Sequence, residues 1–284
     1  MSKKFLRILA VICVVSLTCL LLIGVAGATG TNEQAEEVPL YVEGIRVGSG
    51  FIITDTEYVP FRALCDALGH EVTVSWDSNS KIATAEMPGL IVIAQVGSKY
   101  ITANGRYFYA PSTVSIINGA VYVPLDVLTF AFNLDIIRNE EHRTIDISTS
   151  KLAPIVSGDE FYNEEDLYWL SRVINAESGN QSLEGKMGVG DVVINRVANQ
   201  DPYSFAKVNT IREVIFQHNQ FDVVSRGTIN NEPNAESVIA AKLCLEGYNI
   251  VKDSLYFANP TIADMSFFYG RTFFATIGDH AFYL

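Results

Sequence analysis

The strongest constraint in this chain is a repeat. "EYVPFRALCDALGHEVTV", from Glu57, and "VYVPLDVLTFAFNLDIIR", from Val121, align at an offset of 64 residues, which sets Tyr58-Val59-Pro60 on Tyr122-Val123-Pro124. In each copy a strand runs into proline, whose fixed φ and missing N–H suit the entry to a helix. A short helix should follow, and Gly69 and Asn133 stand where a left-handed C-cap belongs. Each copy then returns to a strand, ending near "KIATAE" and "TIDIST". Between and within the copies, "YITANGRYFYA" and "STVSIINGAVYVP" centre on Asn104-Gly105 and Asn118-Gly119. Asn-Gly between alternating runs is a two-residue hairpin signal, because both turn residues need positive φ. Residues 38–149 thus predict a duplicated strand–helix–strand module rich in β-hairpins.

The doubled "YVP" helix unit resembles the copper amine oxidase N-terminal-like domain found on many exported proteins of Gram-positive bacteria. The name need not carry chemistry here. His70 and His142 are the module's only histidines and lie in different repeats, so no metal site is expected. The resemblance implies a wall-proximal spacer or binding module.

Ahead of this module, Lys3, Lys4 and Arg7 precede an apolar run from Ile8 to Ala26, closed by Ala26-Gly27-Ala28. A basic start, an apolar middle and a small-residue exit predict a signal peptide over residues 1–28, with retention as a membrane anchor the alternative. Residues 29–37 are polar and read as a flexible leader. Cys13 and Cys19 fall in the signal, leaving Cys65 and Cys244 in different halves as small buried apolar residues, not a disulfide framework. The formal charge is −12, and the first 28 residues hold three basic and no acidic groups, so the remainder carries −15. Such a chain is a poor match for nucleic acid or anionic lipid, while neutral glycans remain open.

"SKLAPIVSGDEF", residues 150–161, has Pro154, Gly158 and no periodicity, and reads as a linker to a domain over residues 162–284. There the pattern becomes helical. Asn163 can cap a helix whose first turn is acidic and whose apolar positions are Leu167, Leu170, Val173 and Ile174, with Glu177 on the same face. A second helix starts at Ser182, a third at the Thr210–Glu213 capping box, and a fourth near Pro233. The end turns to strands, with Gly278-Asp279 as a tight hairpin. The whole predicts an α+β protein of two domains, the second helical with a small antiparallel sheet.

Glu177 ends its helix, with Ser178-Gly179-Asn180 directly after it. A carboxyl there, half-buried beside a cleft, would have a raised pKa and serve as a proton donor near neutral pH. Gly185, Gly188 and Gly190 weaken the second helix by roughly 3 kcal/mol against alanine. Close approach of another backbone or of a ligand is the expected compensation. Taken alone, Glu177 reads as a solvated helix-end residue, Glu184 as a first-turn charge, Asn195 and Arg196 as an exposed helix end, and Gln220 and Phe221 as a loop with one buried aromatic.

"RVINAESGNQSLEGKMGVGDVVINRV", "VIFQHNQFD", "SLYFANP" and "IGDHAFY", in this order from about Asp166 to Tyr283, resemble the cell wall hydrolase family of the spore cortex-lytic enzymes. The resemblance implies a lysozyme-like α+β fold, a peptidoglycan glycan substrate and no cofactor, with Glu177 as the essential glutamate. Glu184, Asn195, Gln220, Phe221, Tyr256, Asn259 and His280 are the candidate glycan-binding residues. It also implies an exported protein of the wall or spore of a Gram-positive bacterium, expected as a monomer. A lytic transglycosylase needs one carboxyl, because the muramic acid's own 6-hydroxyl attacks the anomeric carbon. Hydrolysing glycosidases usually need two. Alternatives are a hydrolysing muramidase, with Glu184 the first candidate for its second carboxylate, and a binding protein without catalysis. A zinc site is disfavoured, since His218 and Asp222 are too few ligands. A cysteine peptidase is disfavoured because Cys244 lies within a helical apolar pattern.

Overall fold

Alternating burial builds the first half. The computed structural model describes residues 35–199 and 208–284. The signal peptide and all but the end of the leader lie outside those residues. The strands are β1 (Glu36–Val42), β2 (Ile45–Ile53), β3 (Thr56–Pro60), β4 (Thr73–Asp77), β5 (Ile82–Met87) and β6 (Leu90–Gln95). They continue with β7 (Tyr100–Ala103), β8 (Arg106–Tyr109), β9 (Ser115–Ile117), β10 (Ala120–Pro124), β11 (Asp135–Asn139) and β12 (Thr144–Ser148). Helices α1 (Phe61–Ala67) and α2 (Leu125–Phe132) follow β3 and β10, one per repeat, each with the repeat's proline as N-cap. Asn133 closes α2 at φ 54°, ψ 59°, the left-handed cap expected of it. Gly69 differs: Leu68 caps α1 in the right-handed region, and Gly69 has φ 142°. Both Asn-Gly pairs have positive φ at both residues, which makes the two hairpins tight.

The two copies meet through their shared motif. β3 and β10 pair antiparallel with Tyr122 opposite Pro60, Val123 opposite Val59 and Pro124 opposite Tyr58. Since Val59 and Val123 are equivalent in the repeat, a pseudo-two-fold axis passes between them. One sheet runs β11-β12-β1-β2-β3-β10-β9 and the other β4-β5-β6-β7-β8. β12 closes the module by pairing parallel with β1. The core fills the space with Leu40, Val59, Phe61, Leu64, Leu128 and Phe132, all essentially inaccessible.

The second half is helical. It comprises α3 (Gly158–Phe161), α4 (Glu164–Ser178), α5 (Leu183–Ala198), α6 (Ile211–Phe216), α7 (Asp222–Ser225) and α8 (Ala235–Leu245). β13 (Tyr256–Ala258), β14 (Phe273–Ile277) and β15 (His280–Tyr283) form a sheet ordered β13-β15-β14. The expected caps form: Asn163, Ser182 and Thr210 accept from the N–H three residues on, at 3.0, 3.3 and 3.1 Å. Glu213 completes its box one residue early, accepting from Asn209 N at 2.8 Å. The α+β class in two parts is as the sequence predicts. Cys65 and Cys244 are both buried free thiols.

The α5 glycines answer to side chains, not to the backbone or ligand expected. A Cβ at Gly188 would lie 2.6 Å from Phe282 Cζ, and one at Gly190 would lie 2.8 Å from both Cys244 Sγ and Ile174 Cδ1. At Gly185 the obstacle is Gln181 Cβ, at 2.8 Å. Bare helix surface lets α4, α8 and β15 close onto α5, and that burial offsets the helix cost.

Residues 150–161 run along the first module. Gly158 N donates to Asn104 O at 2.8 Å, and a Cβ on Gly158 would fall 2.5 Å from Gly105 O. The halves join through charge as well. Arg106 forks onto Glu246 at 3.0 and 2.5 Å, Tyr162 OH donates to the same carboxylate at 2.7 Å, and the guanidinium stacks 3.6 Å from the Phe161 ring centre. Residues 35–284 form one compact unit.

Candidate active site

Glu177 sits in the last turn of α4, half-buried. That turn is stitched to the start of α8. Asn175 Oδ1 accepts from Asn234 N at 3.1 Å and from Ser237 Oγ at 3.3 Å, while Asn234 Nδ2 donates to Gly179 O at 3.1 Å. Gly179 is needed there, since a Cβ would fall 2.5 Å from Asn175 O. Burial, reinforced by the charge of Asp222, pushes the Glu177 carboxyl up to about 7 against the pull of Arg226 and Arg196.

One face of α5 holds the segment that leads to Tyr256. Asp191 Oδ2 accepts from Ile250 N at 2.8 Å, Asn195 Nδ2 donates to Lys252 O at 2.6 Å and Ser254 O at 2.9 Å, and Arg196 Nε donates to Leu255 O at 2.8 Å. Three side chains thus hold residues 250–255 in order and deliver Tyr256 to the site. Burial pushes Asp191 up to about 7, although the Ile250 N–H and Cys244 oppose this. Arg196 is buried, with Cζ 5.1 Å from the Phe221 ring centre and 5.8 Å from that of Tyr256. Burial lowers it to about 10, partly countered by Tyr256 and Glu177, so it stays cationic at neutral pH.

The predicted residues divide into groups. Phe221 is buried and, with Tyr256, flanks Arg196 in the neighbourhood of Glu177. Tyr256 also carries the Arg271 guanidinium at 4.2 Å and meets Phe267 edge-on at 5.8 Å. Asn195 is tied to the 249–254 segment, its Oδ1 accepting from Asn249 Nδ2 at 2.8 Å. Asn259 Oδ1 accepts from Thr261 N at 3.0 Å and Thr261 Oγ1 at 2.6 Å, which shapes the turn after β13. Gln220 is exposed between α6 and α7. His280 is buried against Phe257 at 5.3 Å, one layer behind Phe221, with no partner for Nδ1 among the described residues and its pKa lowered by burial. Glu184 points to the other module, accepting from Lys99 Nζ at 2.5 Å and Tyr109 OH at 3.4 Å. Burial alone would raise its pKa, but the Lys99 hydrogen bond leads the interactions that hold it below the usual carboxylate range.

The sequence offers Arg196 only as an exposed helix end, where the structure buries it, and Asp222 only as a metal ligand, and it gives no sign of the Asn175–Asn234 stitch. Arg196 had a readable signal: α5 is apolar or glycine over most of its surface, so a charge on it must enter the interior and find a use.

Residues 180–283 match the cell wall hydrolase family, and residues 41–147 match the copper amine oxidase N-terminal domain. The first match starts three residues after Glu177. Spore cortex-lytic enzymes from Bacillus cereus and Oceanobacillus iheyensis are 29% identical over 121 residues and 27% over 129, spanning 43% and 45% of this chain. Each alignment covers 45% of the relative, so the chain spans less than half the length of these proteins. The cell wall hydrolase CwlJ of Bacillus subtilis is 27% identical over 120 residues, 42% of this chain and 84% of the relative. Among solved structures, the catalytic domain of the germination-specific lytic transglycosylase SleB from Bacillus anthracis is 26% identical, with a TM-score of 0.40 over 46% of this chain and all of that one.

Proposed function

We propose, for a chain carrying a cell wall hydrolase domain behind a copper amine oxidase N-terminal domain, that it cleaves the glycan strands of peptidoglycan outside the membrane. The reaction is lytic transglycosylation at the β-1,4 bond between N-acetylmuramic acid and N-acetylglucosamine. Glu177 donates its proton to the glycosidic oxygen, and the carboxylate left behind is stabilised by the cationic Arg196. It then takes the proton of the muramic 6-hydroxyl as that oxygen closes on the anomeric carbon, giving a 1,6-anhydro end. The observation that carries this reading is a half-buried carboxyl raised to about 7, which can hold and return a proton at neutral pH. Phe221 and Tyr256 supply an apolar wall for the sugar rings. Asn195, Asn259 and His280 shape that wall from behind, while Gln220 reaches solvent at its rim. The N-terminal module, exported with the rest, holds the enzyme at wall or spore material.

A second reading is hydrolysis, favoured by one observation: the Asp222 charge acts on Glu177, as the second carboxylate of a muramidase would. Mass spectrometry of digested peptidoglycan decides between them. Anhydro ends, one water lighter than reducing ends, support transglycosylation. Reducing muramic ends make Asp222 the base or nucleophile, and an undigested wall leaves the chain a binder.

A further inference from the structure

Two grooves on the repeat module are copies of each other. One, of about 710 Å³, is lined by Ile52 and residues 55–57 of the β2–β3 hairpin, and by residues 124–127 and Phe130 at α2. The other, of about 740 Å³, is lined by Ile116 and residues 119–121 of the β9–β10 hairpin, and by residues 60–63 and Asp66 at α1. All of these positions correspond at the repeat's own offset of 64. The pseudo-two-fold between Val59 and Val123 carries one groove onto the other.

They differ in cover and in lining. The first is walled by Tyr248, Asn249 and Ile250, a stretch of polypeptide from the second half, and Tyr248 packs into both cores. Among the described residues, the second is completed only by Val74, Ser75 and Trp76 of β4 and by Ala83. The walled groove contains Asp55, Glu57, Asp126 and Arg138, where the open one has Gly119, Val121, Arg62 and Val74, and only at Phe130 against Asp66 is the open one the more polar. The open groove also presents Trp76 and Ile116 at 41% and 49% exposure. Asp126 and Phe130 of the first groove are exposed too, so that groove shows charge to water beside one aromatic ring, while the second shows it mainly Trp76 and Ile116. Its margins are sheet edges too. β4 and β9 each end a sheet, while β2, the counterpart of β9, has β1 paired along its outer side.

We propose that the groove between α1, β4 and β9 docks an extended polypeptide segment of a partner protein. The segment adds a strand beside β9, as β1 does beside β2, and sets bulky apolar side chains on Trp76 and Ile116. The twin groove already receives a polypeptide, and the open one offers Arg62, Asp66 and Ser75 as its main polar side chains, too few to satisfy a sugar's hydroxyls.

The test selects random twelve-residue peptides displayed on phage against the full chain. Selection should converge on peptides with bulky apolar residues at alternate positions. A synthetic consensus peptide should change the fluorescence of Trp76, read in a Trp169→Phe background because the chain has two tryptophans. Trp76→Ala and Ile116→Ser should each weaken binding about tenfold or more with unchanged thermal melting, as for anchors at the centre of an interface. Phe130→Ala, in the twin walled by residues 248–250, should leave binding unaltered. The proposal is overturned if no consensus emerges, if selected peptides bind the Trp76→Ala/Ile116→Ser double variant as tightly, or if chitohexaose proves to be the ligand that Trp76 senses.

Discussion

The end of α4 and the junction between the halves both take carboxylates out of water, and they compensate them differently. At the junction Glu246, its side chain 2% exposed, receives both arms of Arg106 and the Tyr162 hydroxyl. Glu184 is met there by Lys99 at 2.5 Å. At the end of α4, seven residues before Glu184, Glu177 feels the cations Arg196 and Arg226, but burial and Asp222 outweigh them. A buried carboxylate in contact with a matched cation becomes structure. One whose cations are outweighed keeps a labile proton.

The largest expected effect tests that division on function. Glu177→Gln preserves size but removes the proton, and wall-cleaving activity should fall about 100- to 10,000-fold, with folding and wall binding kept. Glu184→Gln should stay within about tenfold, because its partners are Lys99 and Tyr109. Equal losses of turnover in the two variants, at equal melting temperature, would erase the contrast.

Stability should show the opposite ranking. Glu246→Ala leaves Arg106 and Tyr162 facing a hole at the junction and should destabilise by about 3 kcal/mol in urea unfolding. Glu177→Gln should stabilise at alkaline pH. Its folded pKa of about 7 lies above the ordinary 4.5, so between those values the folded state holds more protons and stability falls as pH rises. The variant should gain on the order of 2 kcal/mol at pH 8 and nothing at pH 4. Asp191, also raised to about 7, adds a slope of the same sign that persists in Glu177→Gln. A Glu177→Gln variant less stable than its parent at pH 8 would place Glu177 with the structural carboxylates.

The smallest effect is electrostatic fine tuning. Asp222 raises Glu177, so Asp222→Asn should move the alkaline limb of the activity profile to lower pH, by less than about one unit. A shift to higher pH, or a loss of activity with the limb unmoved, would give Asp222 a role beyond its field.

Much of this was legible because it is local. Helix caps, Asn-Gly turns and the repeat are written within a few residues, and Asn163, Ser182, Thr210, Asn104 and Asn118 act as their surroundings predict. Glu177 was legible as a position, a helix end beside a break. Its environment was not, because Arg196 and Asp222 come from helices joined to it only by packing. The α5 glycines show the limit well. Gly185 meets the nearby Gln181, but Gly188 and Gly190 meet Phe282, Cys244 and Ile174, which belong to three elements spread over a hundred residues. Glu184 was misleading for a similar reason, since its partner Lys99 lies in the other half of the chain.

The parallel pairing of β1 with β12 bears on how the first module resists force. Leu40 lies beside Ile145, Tyr41 beside Asp146 and Val42 beside Ile147, and both strands run the same way. Tension applied between residues 36 and 148 therefore pulls on opposite ends of the pair. It shears the strands along their length and loads their hydrogen bonds together, where an antiparallel pairing would unzip them one at a time. Forced rupture is governed by the unfolding barrier, not by equilibrium stability. A module built this way stays closed under a steady pull that would open a zipper of the same free energy.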